Sequence, residues 1–423
     1  MKKAAPKPRK KTAPKSARRV AVIGGGPAGL MAAEVMATAG LAVTVFDRMP
    51  SVGRKFLMAG RGGLNLTHSE PIEKFRARYG AAEPWVTPQI DAFSPTDLIA
   101  WAEELGQETF IGSSGRVFPK AMKASPLLRA WLARLGSLGV RFEARAEWTG
   151  WDLAGGLAFA GRDAVDADAT LLALGGASWP KLGADGGWTA LLADIQIAPL
   201  RASNCGFAVA WSDIFRDKHA GAPLKRIALT LGNQRVRGEA VVTSAGIEGG
   251  GIYALSAWAR DKIAQQGVAV LYIDLRPDMT AEALTEKLGA ARGGDSLSNI
   301  LRKCASLPPV AIGLVQEALH GGETKSLVEL IKGVPVRLTA PFDIARAIST
   351  AGGIALTEVD ENLMLHKRPG VFVCGEMLDW EAPTGGYLLQ GCMATGAAAG
   401  RGVIEWLGRE SSSLAAKKTE PAR

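Results

Sequence analysis

The sequence is poor in the residues from which most redox-active thiol and metal centres are built. Its 423 residues include only four cysteines and four histidines. The cysteines are scattered, with no C-x-x-C pair, at Cys205, Cys304, Cys374 and Cys392. This spacing argues against a dithiol–disulfide reductase and a metal cluster, and it suits a reducing compartment. We therefore predict no metal site and a cytoplasmic location.

Several catalytic signatures and long apolar runs are also absent. The sequence contains no nucleophile elbow with a Ser-His-Asp set, no H-E-x-x-H and no Walker A motif, which argues against those hydrolytic and nucleotide-hydrolysing classes. Its apolar runs fall well short of the ~20 residues that cross a bilayer, so we predict no membrane association. The first apolar stretch is interrupted by Gly24-Gly25-Gly26-Pro27 and Glu34. These interruptions argue against a signal peptide or a twin-arginine export signal.

Acidic residues are missing from one end of the chain. Residues 1–19 contain nine lysines and arginines and no acid, which leaves 41 basic against 41 acidic residues in the rest. The whole formal net charge of +9 therefore lies in this segment. Such a composition predicts a disordered basic tail over 1–19. The tail either touches RNA or another polyanion, or it only aids solubility.

A dinucleotide-binding fingerprint is the strongest positive signal. It consists, in chain order, of an apolar strand over 20–23, G-x-G-x-x-G at Gly24, Gly26 and Gly29, a helix to about residue 38, and a second strand that ends at Asp47. The three glycines allow a tight turn, the approach of a pyrophosphate, and close packing of helix on strand. The helix N-terminus, with Pro27 and Ala28, offers free N–H groups to the phosphates. Asp47 can accept hydrogen bonds from the ribose hydroxyls.

The segment after Asp47 favours FAD over a nicotinamide as the tightly bound dinucleotide. It is rich in basic residues and glycine, with Arg48, Arg54, Lys55, Arg61, Gly62 and Asn65. Together with later motifs it resembles the BaiN/YhiN-like (RdsA-like) family of NAD(P)/FAD-dependent oxidoreductases. The matching segments lie between residues 20 and 400 and read VAVIGGGPAGLMAA, VGRKFLMAGRGGLNLTH, GRVFPKAMKASPLL, LLALGGASWPKLGADGGW and VFVCGEMLDWEAPTGGYLLQGCMATGAAAG. One departure is Gly63-Leu64-Asn65, where the larger branch of the family has Arg-Cys-Asn, so a role of that cysteine does not carry over.

The resemblance implies further FAD contacts along the chain. The segment after Asp47 passes over the diphosphate and runs toward the flavin. Gly175 and Gly176, after a buried strand over 170–174, return the chain to the FAD domain. The end of a strand over 140–148 pairs its backbone with the adenine near Ala146.

A second group of implied contacts lies near the C-terminus. Gly375 and Glu376 resemble the second FAD motif, in which the acid bonds the ribitol hydroxyls. Gly385, Gly386 and Tyr387 open a helix that runs to about Leu407. Its N-terminus would direct N–H groups at the pyrimidine edge of the flavin, where the helix dipole favours the anionic reduced form.

The sequence pattern predicts an α/β fold with a two-dinucleotide-binding-type, Rossmann-like FAD domain that is split by an insertion. The predicted parts are a basic tail over 1–19, the first FAD-binding part over 20–194, an inserted β-barrel-like and helical substrate domain over 195–340, the second FAD-binding part over 341–410, and a disordered tail over 411–423. Alternating strands over 205–211, 224–231, 234–242 and 268–275 indicate the insertion. Within it, Gly249-Gly250-Gly251 predicts a flexible loop that either approaches the cofactor or substrate or acts as an interdomain hinge.

The sequence leaves the catalytic residues open. In hydride chemistry the flavin carries the hard step, yet reduction of a C=C bond still needs a proton donor. His68 and Tyr387 are weak candidates, whereas Cys392 is more consistent with a core position. Because only one fingerprint is present, NAD(P)H is expected to bind transiently as the reductant.

We therefore predict an FAD-dependent oxidoreductase, an NAD(P)H-driven reductase of a C=C bond. Relatives in the resembled family are linked to a steroid-type enone or to uridine in large-subunit ribosomal RNA. The expected partner is thus a small-molecule substrate or ribosomal RNA. Two alternatives remain open: reduction of uridine to dihydrouridine in 23S ribosomal RNA, and a non-catalytic FAD-binding or sensing protein.

Overall fold

The structure is a computed structural model that describes residues 18–60, 62–291 and 294–419, the last nine of these by their backbone alone. Most of the predicted basic tail, and Arg61, lie outside the described residues. The strands, in chain order, are β1 (Arg19–Ile23), β2 (Ala42–Asp47), β3 (Thr67–His68), β4 (Thr109–Ile111), β5 (Arg116–Pro119), β6 (Arg141–Ala144), β7 (Trp148–Trp151), β8 (Leu157–Phe159), β9 (Arg162–Val165), β10 (Ala169–Leu172), β11 (Ile197–Ser203), β12 (Phe207–Ala208), β13 (Pro223–Leu231), β14 (Gln234–Thr243), β15 (Gly246–Glu248), β16 (Ala269–Asp274), β17 (Val334–Leu338), β18 (Ala340–Pro341), β19 (Ser349–Ile354) and β20 (Val371–Val373). The α-helices are α1 (Pro27–Thr38), α2 (Arg54–Ala59), α3 (Ile72–Ala77), α4 (Glu83–Ala92), α5 (Pro95–Glu104), α6 (Ala124–Ser137), α7 (Asp213–His219), α8 (Gly250–Tyr253), α9 (Ser256–Gln266), α10 (Ala281–Gly289), α11 (Leu297–Lys303), α12 (Pro309–His320), α13 (Leu327–Lys332) and α14 (Tyr387–Thr419).

A parallel sheet positions the candidate site. Its five strands run in the order β20-β10-β1-β2-β6, and every neighbouring pair is parallel. β10 is buried along its whole length and β1 along all but its first residue, as expected for strands of a parallel sheet that is covered on its faces. The carboxyl ends of all five strands therefore meet at one edge. The predicted Rossmann-like domain is confirmed.

Helices α1 and α14 approach each other very closely. A Cβ at Gly396 would lie 2.3 Å from the carbonyl oxygen of Ala28. α14 continues to Thr419, so the predicted end near Leu407 is wrong, and the predicted tail from 411 begins inside this helix. Gly408, the residue directly after the predicted end, is helical. A single glycine inside a helix costs only ~1 kcal/mol, and the alanine, serine and lysine residues that follow permit helix.

The predicted strand over 140–148 is also wrong, because it is two strands. β6 completes the parallel sheet, whereas β7 begins a separate antiparallel sheet of order β7-β8-β9. The break falls at Arg145, whose φ of +53° takes the chain out of the extended conformation. Arg145 and Ala146 donate their N–H groups to the carbonyls of Met49 (3.0 Å) and Asp47 (2.9 Å). The break is thus tied to the end of β2.

The inserted part is an antiparallel sheet that closes on itself. Its strand order is β17-β16-β13-β14-β15-β12-β18. The two outermost strands, β17 and β18, are separated in sequence only by Thr339, whose N–H donates to the carbonyl of Ala208 at 3.0 Å. One bent strand therefore forms both edges, which agrees with the predicted barrel-like unit. Helices α7 to α13 accompany it, and it has a hydrophobic core of its own.

Two strands connect the two parts of the molecule. The chain enters the insertion through β11 and returns through β19, and these strands pair antiparallel.

The prediction of a flexible loop at Gly249-Gly250-Gly251 is wrong, because these residues form a tight turn that leads into the short helix α8. Within the described residues, no helix combines the length and apolarity needed to cross a bilayer.

Candidate dinucleotide site

The glycines after β1 have different reasons for lacking a side chain. Gly24 has φ +106°, and a Cβ there would lie 2.3 Å from the carbonyl oxygen of Ala173. A Cβ at Gly29 would lie 2.0 Å from the carbonyl oxygen of Gly24. At both positions the protein's own packing requires glycine. Gly26 is not, since its φ of −81° is ordinary and a Cβ there would meet no atom within 4 Å.

The space beside Gly26 lies at the N-terminus of α1, where free N–H groups and the helix dipole favour an anion. Gly26 is the residue directly before this helix, and Pro27 is its first residue. Pro27 lacks an N–H, but that position of a helix needs none. The open space is therefore a cradle of the kind that a dinucleotide diphosphate occupies.

Asp47 connects the end of β2 to this cradle. Its two carboxylate oxygens accept hydrogen bonds from the N–H groups of Gly25 (2.9 Å) and Met49 (2.8 Å). Burial raises the pKa of Asp47, and these two hydrogen bonds oppose that rise. Each carboxylate oxygen has a second lone pair. Asp47 can therefore still accept hydrogen bonds from ribose hydroxyls.

Two arginines near the cradle carry unpaired donors. The Nε atoms of Arg48 and Arg54 are buried without a hydrogen-bond partner. Another nitrogen of Arg48 donates to Asp185 at 2.7 Å. A buried donor without an acceptor costs about 1–3 kcal/mol, and an anionic ligand would supply acceptors. Together with the open space at Gly26, these orphan donors fit a bound dinucleotide.

Lys55 and Glu376 meet across the sheet edge. Lys55 Nζ donates to Glu376 Oε2 and to Ser178 Oγ, each at 2.6 Å. Glu376 also accepts from the N–H groups of Thr350 (2.9 Å) and, more weakly, Gly176 (3.4 Å). The structure thus brings Lys55, Gly176 and Glu376 together. Glu376 is largely occupied by protein donors, and its contact with a ribitol stays a prediction.

The glycines beside this pair also lie at the cradle. Gly175 and Gly375 have φ of +71° and +79°. A Cβ at Gly375 would lie 2.7 Å from the Cβ of Ala28, in the first turn of α1. The end of β20 is therefore pressed against the same helix N-terminus as the loop after β1.

Gly386 sets the start of α14 against β3. Gly385 and Gly386 have φ of +135° and +100°, and a Cβ at Gly386 would lie 2.5 Å from the Cα of Thr67. Three polar side-chain oxygens around this contact are buried without a partner: those of Asn65, Thr67 and Gln390. These orphan groups mark a second place that suits a polar ligand. Gly62, by contrast, is exposed and open.

Tyr387, the first residue of α14, donates its phenolic O–H to Glu70 Oε1 at 2.5 Å. Arg78 holds Glu70 from the other side with two hydrogen bonds, of 3.0 and 2.8 Å. Burial and the hydrogen bond to Glu70 raise the pKa of Tyr387 well above its usual value. Although burial acts to raise it, the bonds from Arg78 and Tyr387 lower the pKa of Glu70. Tyr387 therefore keeps its proton and donates it in a hydrogen bond to Glu70.

His68 stacks on Tyr387 with ring centroids 5.5 Å apart. Its Nε2 lies 3.0 Å from the carbonyl oxygen of Ser114, and its Nδ1 accepts from the N–H of Glu70 at 3.1 Å. A carbonyl only accepts, so in this hydrogen-bonding pattern Nε2 is the donor and Nδ1 the acceptor. Both nitrogens are used by the protein. His68 and Tyr387 thus lie together, with their polar atoms engaged, and their catalytic role stays a prediction.

Ala146 is buried two residues after the end of β6. Because its N–H is donated to the Asp47 carbonyl, only its own carbonyl remains for an adenine.

The sequence did not predict five further residues of the site: Glu70, Arg78, Asn204, Arg260 and Glu381. No local pattern marks them, because the contacts that they make with α14 and the segment before it join residues 121 to 317 positions apart.

Comparison with known proteins identifies the family of this chain. The model of the HI0933-like protein Rossmann domain matches residues 18–402. The chain is 25% identical over 415 residues to 3-dehydro-bile acid delta(4,6)-reductase of Clostridium scindens, covering 92% of this chain and 99% of that protein. It is 25% identical over 401 residues to ribosomal RNA dihydrouridine synthase of Haemophilus influenzae, covering 87% and 94%.

A solved structure shows the same fold. The open conformation of a flavocytochrome c3 fumarate reductase matches with a TM-score of 0.50 at 15% identity, over 93% of this chain and 79% of that one. The family match covers the parallel sheet, the insertion and the first half of α14, and it confirms the resemblance found in the sequence. The chain therefore belongs to the HI0933-like Rossmann-domain family, and it is an FAD-dependent oxidoreductase.

Proposed function

We propose that this chain catalyses the NAD(P)H-driven reduction of an electron-poor C=C bond. The observation that carries the proposal is the near full-length similarity to a delta(4,6)-reductase and to a dihydrouridine synthase. Both names denote saturation of a carbon–carbon double bond, although the two substrates differ greatly. The shared part of such reactions is hydride transfer to a polarised double bond. Bound FAD supplies this hydride chemistry.

The chain's own residues hold and orient the cofactor in this proposal. The N-terminus of α1 and the open side of Gly26 would receive the diphosphate, and Arg48 and Arg54 would neutralise its charge. Asp47 would accept hydrogen bonds from the ribose. The N-terminus of α14 would direct N–H groups at the pyrimidine edge of the flavin, where the helix dipole would stabilise negative charge.

The reductant is proposed to bind only transiently. The sequence contains one G-x-G-x-x-G fingerprint that follows a strand and opens a helix, at Gly24. A separate nicotinamide domain would need its own strand, glycine turn and helix. NADH or NADPH would therefore bind only transiently, at the face of the flavin.

Reduction of uridine in ribosomal RNA is the second candidate. It is favoured by the similarity to ribosomal RNA dihydrouridine synthase, by the nine basic residues before Val20, and by one surface of the described residues. On that surface Phe110, 39% exposed, stacks on Phe118 at 5.7 Å on the hairpin β4–β5, close in sequence to Lys120 and Lys123. Aromatic side chains beside cations are typical of single-stranded RNA sites.

The test starts from the purified protein under anaerobic conditions. It should be yellow and release FAD rather than FMN on denaturation. NADH or NADPH should bleach the flavin, and a C=C substrate should restore the colour. A steroid-type enone, a short enone and ribosomal RNA are compared as oxidants. A flavin that NAD(P)H reduces but none of these reoxidises would contradict the proposal, and a flavin that NAD(P)H cannot reduce would favour a non-catalytic FAD protein.

Nucleosides of ribosomal RNA from a deletion strain separate the two candidates. Loss of one dihydrouridine, measured by liquid chromatography and mass spectrometry, would select the RNA substrate. Unchanged nucleosides together with turnover of an enone would select the small molecule.

A further inference from the structure

We infer that Asn204 and Arg260 of the inserted domain are positioning residues that set the reduction potential of the flavin. They act through the residues that precede α14, which we call the flavin-side segment (residues 380–386). The inference rests on the proposed function in one respect, namely that the pyrimidine end of the flavin lies at the N-terminus of α14. The inserted domain then does more than cover a substrate.

Asn204 holds the flavin-side segment at two backbone positions. Its Nδ2 donates to the carbonyl of Ala382 at 2.8 Å, and its Oδ1 accepts from the N–H of Thr384 at 3.0 Å. The second hydrogen of Nδ2 goes to Ser349 Oγ at 2.7 Å. Asn204 is 1% exposed, and its φ is +50°. Asparagine is one of the few residues that accept this left-handed conformation, and such strain persists where surrounding contacts maintain it.

Arg260 holds the same segment through a side chain. Its two terminal nitrogens donate to the two carboxylate oxygens of Glu381 at 2.9 and 2.7 Å, and Ser203 Oγ donates to Glu381 Oε2 at 2.6 Å. Arg260 is 4% exposed and lies on α9. Such a bidentate ion pair fixes the orientation of the carboxylate as well as its distance from the guanidinium. The flavin-side segment is therefore fastened to the inserted domain at three closely spaced points, 381, 382 and 384.

This attachment continues directly into α14. After Thr384 come only Gly385 and Gly386 before Tyr387, the first helical residue. Gly386 is pressed on Thr67 of β3, so the helix start is held from the FAD domain on one side and from the inserted domain on the other. The effect of a helix N-terminus on a charge falls off within the first turn. A small displacement of the segment therefore weakens the stabilisation of the anionic reduced flavin.

The experiment compares two variants that add no charge. Asn204→Gly removes all three side-chain hydrogen bonds and tolerates φ +50°. The double variant Arg260→Gln/Glu381→Gln removes the ion pair, and Asp261, which Arg260 also contacts at 3.0 Å, keeps its ion pair with Arg201 at 3.2 Å. The control is Lys332→Gln, which breaks an ion pair of 2.8 Å with the buried Asp274 in the same domain. Lys332 lies on α13, and this helix packs on α10, α12, β16 and β17. The readouts are FAD content, visible spectrum and midpoint potential by anaerobic spectral titration.

Both variants should bind FAD with a midpoint potential shifted to more negative values. A tenfold weaker preference for reduced over oxidised flavin corresponds to about 30 mV for a two-electron couple. Lys332→Gln should keep the wild-type potential. Hydrogen exchange of the cofactor-free protein should show the amide of Thr384 protected in the wild type and exchanging at least tenfold faster in Asn204→Gly.

The inference would be overturned if both variants bind FAD and have the midpoint potential of wild type. It would also be overturned if Lys332→Gln shifts the potential as much as the two variants do. If Asn204→Gly does not fold, the double variant decides alone. Failure of the proposed function looks different: the wild-type protein would then carry no FAD, or its flavin would not respond to NAD(P)H. The outcomes for the segment and for the reaction can thus be told apart.

Discussion

At the scale of single residues, Gly26 is the position where a ligand, and not the protein, explains the absence of a side chain. Gly26→Val should therefore give colourless protein whose cofactor-free melting temperature matches that of cofactor-free wild type, because the new side chain enters open space. Absorbance at purification and a thermal melt measure both quantities. Gly136→Val is the matched control, since its Cβ also meets no neighbour and it lies on α6. Full FAD content in Gly26→Val would show that the diphosphate lies elsewhere.

Glu376 tests the second FAD motif. Glu376→Ala should weaken FAD binding about ten- to a hundredfold, because a charge-assisted hydrogen bond is worth roughly 1.5–3 kcal/mol. Glu376 also accepts a hydrogen bond from Lys55 at 2.6 Å. Glu376→Gln keeps an acceptor but not the charge, so its FAD affinity should lie between those of wild type and Glu376→Ala. FAD dissociation constants from fluorescence measure the effect. A constant equal to that of wild type in Glu376→Ala would move the ribitol contact to other residues.

Tyr387 separates a proton donor from a positioning residue. Its phenolic hydrogen bonds Glu70, and both nitrogens of the adjacent His68 are engaged. We therefore expect Tyr387→Phe to keep flavin reoxidation by the substrate within about threefold of wild type. Loss of a general acid would slow that step about 10²–10⁴-fold. Stopped-flow measurement of the reoxidation half-reaction decides, and a loss in that larger range would make Tyr387 the donor.

At the scale of elements, a buried carboxylate joins α1 to α5 and α6. Glu34, 8% exposed, accepts hydrogen bonds from the indoles of Trp101 (3.2 Å) and Trp131 (2.6 Å) and from Arg134 (3.0 Å). Glu34→Ala leaves the two buried indole N–H groups without an acceptor and removes the nearer carboxylate partner of the half-buried Arg134. We expect a loss of about 3–5 kcal/mol in the free energy of unfolding, the range for breaking a buried ion pair.

The control for Glu34 is Glu104→Ala. Glu104 is an exposed partner of the same arginine at 3.5 Å, so its removal should cost less than about 1 kcal/mol. Urea unfolding of both variants, followed by tryptophan fluorescence, gives the comparison. Equal losses would mean that the indole bonds to Glu34 contribute nothing beyond the surface ion pair.

At the scale of the whole molecule, the charge distribution bears on the choice of substrate. The part of the chain after the basic tail is formally neutral. Arg18 donates to Asp168 at 2.8 Å, so the informative truncation removes residues 2–17 and leaves this contact. If RNA is the substrate, the truncation should weaken RNA binding and make its salt dependence shallower by roughly 0.7 per lost phosphate contact.

FAD content and NAD(P)H oxidation with a small acceptor serve as controls for the truncation and should not change. RNA affinity at two salt concentrations, for both forms of the protein, gives the slopes. Identical slopes would exclude a role of the tail in RNA binding. No detectable binding by either form would favour the small-molecule substrate.

Local chemistry made much of this molecule predictable from its sequence. The unit β1–α1–β2, the start of α5 at Ser94 and the break at Pro308-Pro309 follow from neighbouring residues: apolar runs, glycines at fixed spacing, a capping serine and prolines that lack an N–H. The basic tail over 1–19 was predicted from composition, and because most of it lies outside the described residues its disorder stays a prediction. Most errors were boundaries, as at Arg145 and Gly408, where one residue's conformation decided whether an element continued.

The sequence by itself determined that a glycine-lined cradle forms after β1 and which helix N-terminus it faces, because those groups lie within 30 residues of one another. Only the tertiary structure decided what surrounds the reacting end. The pairs Lys55–Glu376, Glu70–Tyr387, Asn204–Thr384 and Arg260–Glu381 are separated by 321, 317, 180 and 121 positions. Contacts over such separations leave no periodicity or spacing in the chain. They arise only when parallel strands bring their carboxyl ends to one edge and the insertion folds back onto it.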